Sequence, residues 1–361
     1  MGFSKEDTKA IKGIAIILMI YHHLFAFPER AGGTWQSLFS LSGEPIAYWI
    51  GDFGKICVAV FMFLAGYGTW VSCEGKENTA GIIKEKIKRL YFTYWKVFFL
   101  FIPICMIAGV PKVSKDIGLF MKNLLGIRIT YVGEWWFFQA YILLLILFPL
   151  IRQILRRKES MFFANAVAIS CIWIVVHWVV PAIPTEGDSC LRLLAASEFA
   201  EPLTFMINQL PIFLAGCFFA KYDVLAAVKK KFVGNYLCSV GAAAILCIVF
   251  FMRRNMGPFW DFAFAPVVIG SCTVLLHTRG LKWLYVFLQK LGNESTIIWL
   301  VHTVYCYLLI PKVIYAPRFS VLIAVWLLVL SWLTSIIIKK LYKGLGKIGS
   351  ALYRKFDFEE K

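Results

Sequence analysis

Apolar runs of about 17 to 25 residues with few charges recur along the whole chain. At roughly 1.5 Å rise per residue, each can cross the ~30 Å hydrocarbon core of a bilayer as a helix. They fall near 10–27, 51–72, 91–110, 135–151, 161–181, 204–220, 232–252, 259–277, 295–311 and 319–338. Backbone groups in lipid must be satisfied within the segment, so the expected fold is an all-α polytopic membrane protein with about ten transmembrane helices. Composition agrees, since 60% of the 361 residues are hydrophobic and only 16% are charged. The connections are too short for a separate external domain, so residues 1–345 read as one transmembrane domain and 346–361 as a basic tail.

The net charge of +17 would suit a nucleic-acid partner only if the basic residues gathered on one solvated surface, whereas they lie in short runs between spans. No nucleic-acid partner is expected. The N-terminus, alternate loops and C-terminus together carry 26 Lys and Arg against 10 in the other loops, which puts both termini in the cytoplasm. The loop at 182–203, with Glu186, Asp188, Glu198 and Glu201 against one arginine, fits the outer side. The tail is basic and studded with aromatics, as a segment lying on an anionic inner leaflet would be. The ten cysteines are scattered and form no C-x-x-C pair, which argues against a disulfide framework or a zinc site. No metal ligands are assigned.

Within the first apolar run, KAIKGIAIILMIYHHLFAF, two adjacent histidines stand where ionisable groups are costly. Lys12 and His23 are eleven positions apart, which on an α-helix leaves them only about 20° apart in projection and roughly 16 Å apart in depth. His22 falls about 80° off that face. A cation at the membrane surface therefore stands below an imidazole near mid-membrane. Four other stretches hold polar groups that hydrophobicity does not explain. In GDFGKICVAVFMFLAGYGTW, Gly54, Ala65, Gly66 and Gly68 suit close helix packing. Lys86, Lys88 and Arg89 open the third span on the side of Lys12, where a phosphate-bearing ligand would find its partners. Glu134, with Trp135 and Trp136, stands at the opposite mouth of the fourth span, where its carboxylate can orient an imidazole or a substrate hydroxyl. Ser295 begins a helix in LGNESTIIWLVHT, with His302 two turns further on and nearly on the same face. His177 and His277, near span ends, read as structural.

These stretches resemble the acyltransferase 3 family of membrane-bound O-acyltransferases. The family opens with a basic residue, Gly, an apolar run and His, matched by Lys12-Gly13-Ile14-Ala15 and His23 with ten residues between Lys12 and His23. The sequence FMFLAGYG matches its glycine-rich second span, and Lys86-x-x-Arg89 the basic entry to its third. Arg89-Leu90-Tyr91 and Tyr94-Trp95 also match, although Phe92 and Thr93 stand where relatives often carry proline. Trp136-Phe137 with Tyr141 and Pro149, and Leu291-Gly292 with Ser295 and His302, extend the likeness over nearly the whole chain. Lysine at position 12, where arginine is common, keeps the charge but not the bidentate fork.

The resemblance implies transfer of an acyl group, usually acetyl from acetyl-CoA, to a hydroxyl of a carbohydrate, a lipid-linked glycan or another envelope molecule. It sets the expected location at a bacterial plasma membrane. Acetyl-CoA is a donor substrate, and no permanently bound cofactor is expected. Lys12, Lys86, Lys88 and Arg89 would hold the CoA phosphates, and His23 would act as general base or acyl carrier. Glu134, Trp136, Ser295 and His302 would support the acceptor or the histidine. The alternative from another class is a secondary transporter or glycan flippase using His and Glu as a proton relay. The lysine–histidine register and the one-sided basic cluster favour the enzyme.

Overall fold

The computed structural model describes residues 2–156, 162–179 and 197–359. Most of the acidic loop at 182–203, with Glu186, Asp188 and Cys190, lies outside them, as do the last two residues of the tail. Fifteen helices dominate the described residues, beginning with α1 (Lys5–Phe25), α2 (Ile46–Gly54), α3 (Cys57–Cys73), α4 (Thr79–Ile107) and α5 (Ile117–Leu124). Next come α6 (Trp136–Arg156), α7 (Phe162–Ile174), α8 (Ala200–Lys221), α9 (Val224–Phe232) and α10 (Tyr236–Met256). The chain continues through α11 (Asp261–Leu276), α12 (Lys282–Asn293), α13 (Ser295–Thr303), α14 (Pro311–Tyr315) and α15 (Ser320–Glu359). A two-residue hairpin pairs Ser40 with Pro45 and Leu41 with Glu44. Among the described residues, eight helices are long and apolar enough to cross a membrane, α2 and α3 counting as one, and two shorter apolar helices occupy 164–174 and 295–309. The chain is an all-α polytopic membrane protein.

One boundary differs from expectation. The span placed at 51–72 begins at Ile46 and is interrupted at Lys55–Ile56, so a lysine stands at a helix break inside an apolar segment. The final helix runs from Ser320 to Glu359, so residues 346–359 of the tail continue the last span as one helix.

Helix α1 is the axis of the bundle, packed by α2, α3, α11, α12, α13 and α15. Its start is fixed by a capping box. The Asp7 amide donates to Ser4 Oγ at 3.1 Å, and the Ser4 amide donates to Asp7 Oδ2 at 2.7 Å. Asp7 is also buried against Lys229 Nζ at 2.7 Å, His277 Nε2 at 3.2 Å and the Tyr285 hydroxyl at 2.8 Å, which ties α1 to α9, α11 and α12. Glycine explains the close crossing of α1 and α12. A Cβ on Gly13 would stand 2.3 Å from the Leu288 carbonyl oxygen, and one on Gly292 would stand 1.8 Å from that of Lys9. The glycine after Lys12 is thus a packing residue that brings α12 against α1. Gly66 and Gly216 make a similar crossing between α3 and α8, as the small residues of that stretch suggested. Gly68 does not pack; it lines a cavity.

Near the other end of α1, Arg253 is fully buried and donates to Asp261 at 2.7 and 3.1 Å and to the Asp52 carbonyl at 2.6 Å. Tyr307 and Tyr315 donate to the carbonyls of His23 and Leu24 at 2.5 and 2.6 Å. These bonds satisfy acceptors that the end of α1 leaves open.

Candidate active site

A cavity of about 300 Å³ runs beside α1, and one face of that helix forms its wall from Thr8 and Lys12 to Met19, His22 and His23. The register expected for Lys12 and His23 is therefore realised in space. The expected separation of His22 is not, because its ring also reaches the cavity. Its Nδ1 stands 2.9 Å from the Gly51 carbonyl, and its ring packs 5.2 Å from that of His23.

At the Lys12 end the facing wall comes from α4, through Lys86, and from α13, through Ser295 and Thr296. Lys86 Nζ lies 3.3 Å from the Gly68 carbonyl. Among the described residues, no carboxylate lies within 4.0 Å of Lys12 or Lys86. Buried Arg152 adds a third cation near this end of the bundle, its guanidinium donating to the carbonyls of Cys73 and Lys76 and to the Thr79 hydroxyl. Its partners too are neutral. Such an arrangement of cations is unfavourable in a low-dielectric interior unless an anion joins it. Lys88 and Arg89, grouped with Lys86 by sequence, are exposed and do not form the cavity wall. Lys88 is 200° around α4 from Lys86, whereas Arg89 follows Lys86 by three residues, about one turn.

His23 occupies the middle of the cavity. Its Nδ1 stands 3.0 Å from the Met19 carbonyl oxygen and 3.0 Å from His302 Nε2. His302 is fully buried behind it, with Nδ1 2.7 Å from the Trp299 carbonyl and 3.2 Å from that of Ile298. Ser295, which begins α13 as its place in the sequence suggested, lies on the wall rather than beside the two imidazoles.

Towards the opposite end, Glu134 and Trp136 line the cavity. The Glu134 carboxylate is 3.7 Å from Arg30, whose guanidinium sits 4.5 Å over the Phe27 ring. Trp136 packs against Phe205 at 4.7 Å and continues into Phe137 and Trp299, giving this end an aromatic wall. Lys55, at the break between α2 and α3, also lines the cavity. Among the described residues, no three His, Cys, Asp or Glu side chains are grouped to hold a metal ion.

The sequence reading missed Lys55, Arg30 and Arg152. An available signal for Lys55 was its place inside an apolar run, where a charge calls for a function. Arg152 follows Pro149 at the close of a span and looked like one more charge in a connection. The side chain of His177 lies outside the described residues, whereas His277 is a structural partner of Asp7.

Comparison with known proteins gives a family. A family model described as an acyltransferase domain matches residues 8–340, from the first turn of α1 through most of the apolar part of α15. No curated protein and no solved structure is similar to the chain at a significant level. The matched range takes in Lys12, His23, Lys86, Glu134 and His302 together with the helices that build the cavity, and the chain belongs to the acyltransferase 3 family of integral membrane proteins.

Proposed function

We propose that the chain is a plasma-membrane O-acyltransferase that moves an acetyl group from acetyl-CoA to a hydroxyl of a carbohydrate or lipid-linked glycan, with both termini and the Lys12 end of the cavity in the cytoplasm. The observation that carries this reading is the pair Lys12 and Lys86 on facing walls, with no carboxylate within 4.0 Å of either among the described residues, at the end of a cavity that leads to His23. A polyanion completes such a site, and the phosphates of CoA supply one on the side that the 26-to-10 distribution of basic residues favours as cytoplasmic. Lys12 and His23 are roughly 16 Å apart along the helix, a separation suited to an extended pantetheine arm. The acceptor enters from the other end, where the Trp136 wall offers a stacking face for a sugar and Glu134 accepts hydroxyl protons.

In the reaction, His23 Nε2 takes the proton of the acceptor hydroxyl as its oxygen attacks the thioester carbonyl carbon. The tetrahedral intermediate collapses with breakage of the carbon–sulfur bond, and the departing thiolate recovers the proton from His23. An ester and free CoA result, with no net change at the histidine.

The test compares wild type with His23→Gln in cells and as purified folded protein. The substitution should abolish both acetylation of the envelope glycan fraction and acceptor-dependent CoA release, while acetyl-CoA still binds. Retained transfer in folded His23→Gln, or failure of the wild-type protein to bind acetyl-CoA, would refute the proposal.

A further inference from the structure

Each imidazole in the cavity has a choice of tautomer, and the atoms around His302 and His23 remove it. His302 Nδ1 faces two carbonyl oxygens, at 2.7 and 3.2 Å, which only accept hydrogen bonds. That nitrogen therefore carries the hydrogen, and in a neutral ring Nε2 is left as an acceptor. His23 Nδ1, 3.0 Å from this acceptor and 3.0 Å from the Met19 carbonyl, meets two acceptors and must itself carry a hydrogen. The lone pair of His23 is then left on Nε2, which has no protein partner among the described residues.

We propose that His302 is a positioning residue that locks His23 in the Nδ1–H tautomer, presenting the Nε2 lone pair to the reacting hydroxyl. The inference deepens the acyltransferase reading, on which its catalytic consequence rests; the tautomer itself stands independently of it. His302 does not touch substrate. It is fully buried, both of its ring nitrogens are engaged, and of the two imidazoles His23 lines the cavity. Met19 alone would be a weaker lock, because its carbonyl belongs to the same helix four residues back and moves with His23. The bond to α13 spans 279 residues of sequence and ties the imidazole to a separate helix. In serine hydrolases an aspartate does this work with a negative charge; here both partners of His23 are neutral, so tautomer and ring orientation are set without placing a carboxylate in the membrane interior.

The experiment uses the full chain in detergent or nanodiscs, labelled with ¹⁵N-histidine. Its five imidazoles are few enough for His23 to be assigned by its loss in His23→Gln. The expected spectrum of wild type has the pyridine-type nitrogen of His23 at Nε2. His302→Ala should populate the other tautomer and reduce turnover with acetyl-CoA by about 100-fold or more, with KM for acetyl-CoA little changed. His302→Gln, whose amide oxygen can accept from His23 Nδ1–H, should restore both the tautomer and about tenfold or more of the lost turnover. An Nε2–H tautomer in wild type, or an unchanged one in His302→Ala, overturns the lock whatever the turnover. Equal turnover in His302→Ala and wild type overturns the positioning role. If wild type shows the expected tautomer but transfers no acetyl group, the acyltransferase reading fails and the lock stands.

Discussion

Replacing Lys86 by Met separates a ligand site from a topological charge, because it should move affinity and stability in opposite directions. In the free protein, Lys86 lines the cavity opposite Lys12, and neither has a carboxylate within 4.0 Å among the described residues. Methionine keeps the unbranched stem and removes the repulsion, at the loss of one 3.3 Å contact to the Gly68 carbonyl. The unliganded variant should therefore melt above wild type. With acetyl-CoA present the sign reverses, since a charge-assisted bond to phosphate contributes about 1.5–3 kcal/mol, which is roughly a 10- to 150-fold weaker Kd in the variant. Lys12→Met should behave alike, and the double variant should lose less than the sum if both lysines hold one phosphate group. Arg89→Gln provides the contrast: Arg89 is exposed and outside the wall, so its contribution should stay within the ~0–1 kcal/mol of a solvated ion pair. Calorimetric titration measures the affinities and thermal melting the stabilities, with dephospho-CoA as the control for the 3′-phosphate. Unchanged affinity in Lys86→Met, or a loss of stability in the free protein with wild-type affinity, would refute the donor site.

His277 lies just beyond α11, and its hydrogen bond to Asp7 holds its pKa above the ordinary 6.5, against burial, which lowers it. A raised pKa contributes stability that is fully present below pH 6.5 and is lost as pH rises through the folded value, so the Tm advantage of wild type over His277→Gln should shrink with increasing pH. A difference that is flat across that range, measured in one detergent at constant ionic strength, would refute the assignment. Mixing the purified protein with acetyl-CoA in the absence of acceptor should give no burst of free CoA stoichiometric with enzyme. A burst accompanied by mass added to His23 would establish a covalent carrier.

Much of the first helix was legible in the sequence because its chemistry is periodic. The spacing of Lys12 and His23 fixes a shared face whatever the remaining helices do, and the residues of α1 set the cavity wall accordingly. Gly13 and Gly292 were legible as motif members but not as a pair, since the crossing that needs both joins helices nearly 280 residues apart. The bond between His302 and His23 was hidden for the same reason. Periodicity within α13 gives the face of His302 but not the helix that meets it. Lys88 is close to Lys86 in the sequence pattern but lies about 200° from it around α4, a difference that the grouping of charges in the sequence does not carry. The break at Lys55 was hidden by hydropathy, which reads Ile46–Cys73 as one apolar segment across it.

The choice between direct transfer and an acylated histidine turns on where charge can be held along the cavity. At the Lys12 end, uncompensated cations await an anion; near Glu134, a carboxylate faces Arg30. Between them, among the described residues, His22 and His23 bond to carbonyls and to the His302 imidazole, and none of the three rings hydrogen-bonds a carboxylate. Acylation at Nε2 with the hydrogen retained on Nδ1 would make a full cation that persists until the acceptor arrives. Its neighbours supply dipoles but no counter-charge, and a buried charge without one is costly. In direct transfer the imidazolium exists only while the oxyanion of the tetrahedral intermediate lies beside it. The two charges form and disappear together, and the site need supply no lasting counter-ion. Neutral partners thus suit a histidine that borrows a proton within one step better than one that stores an acyl group between two. This polarity favours the general-base route for the proposed reaction.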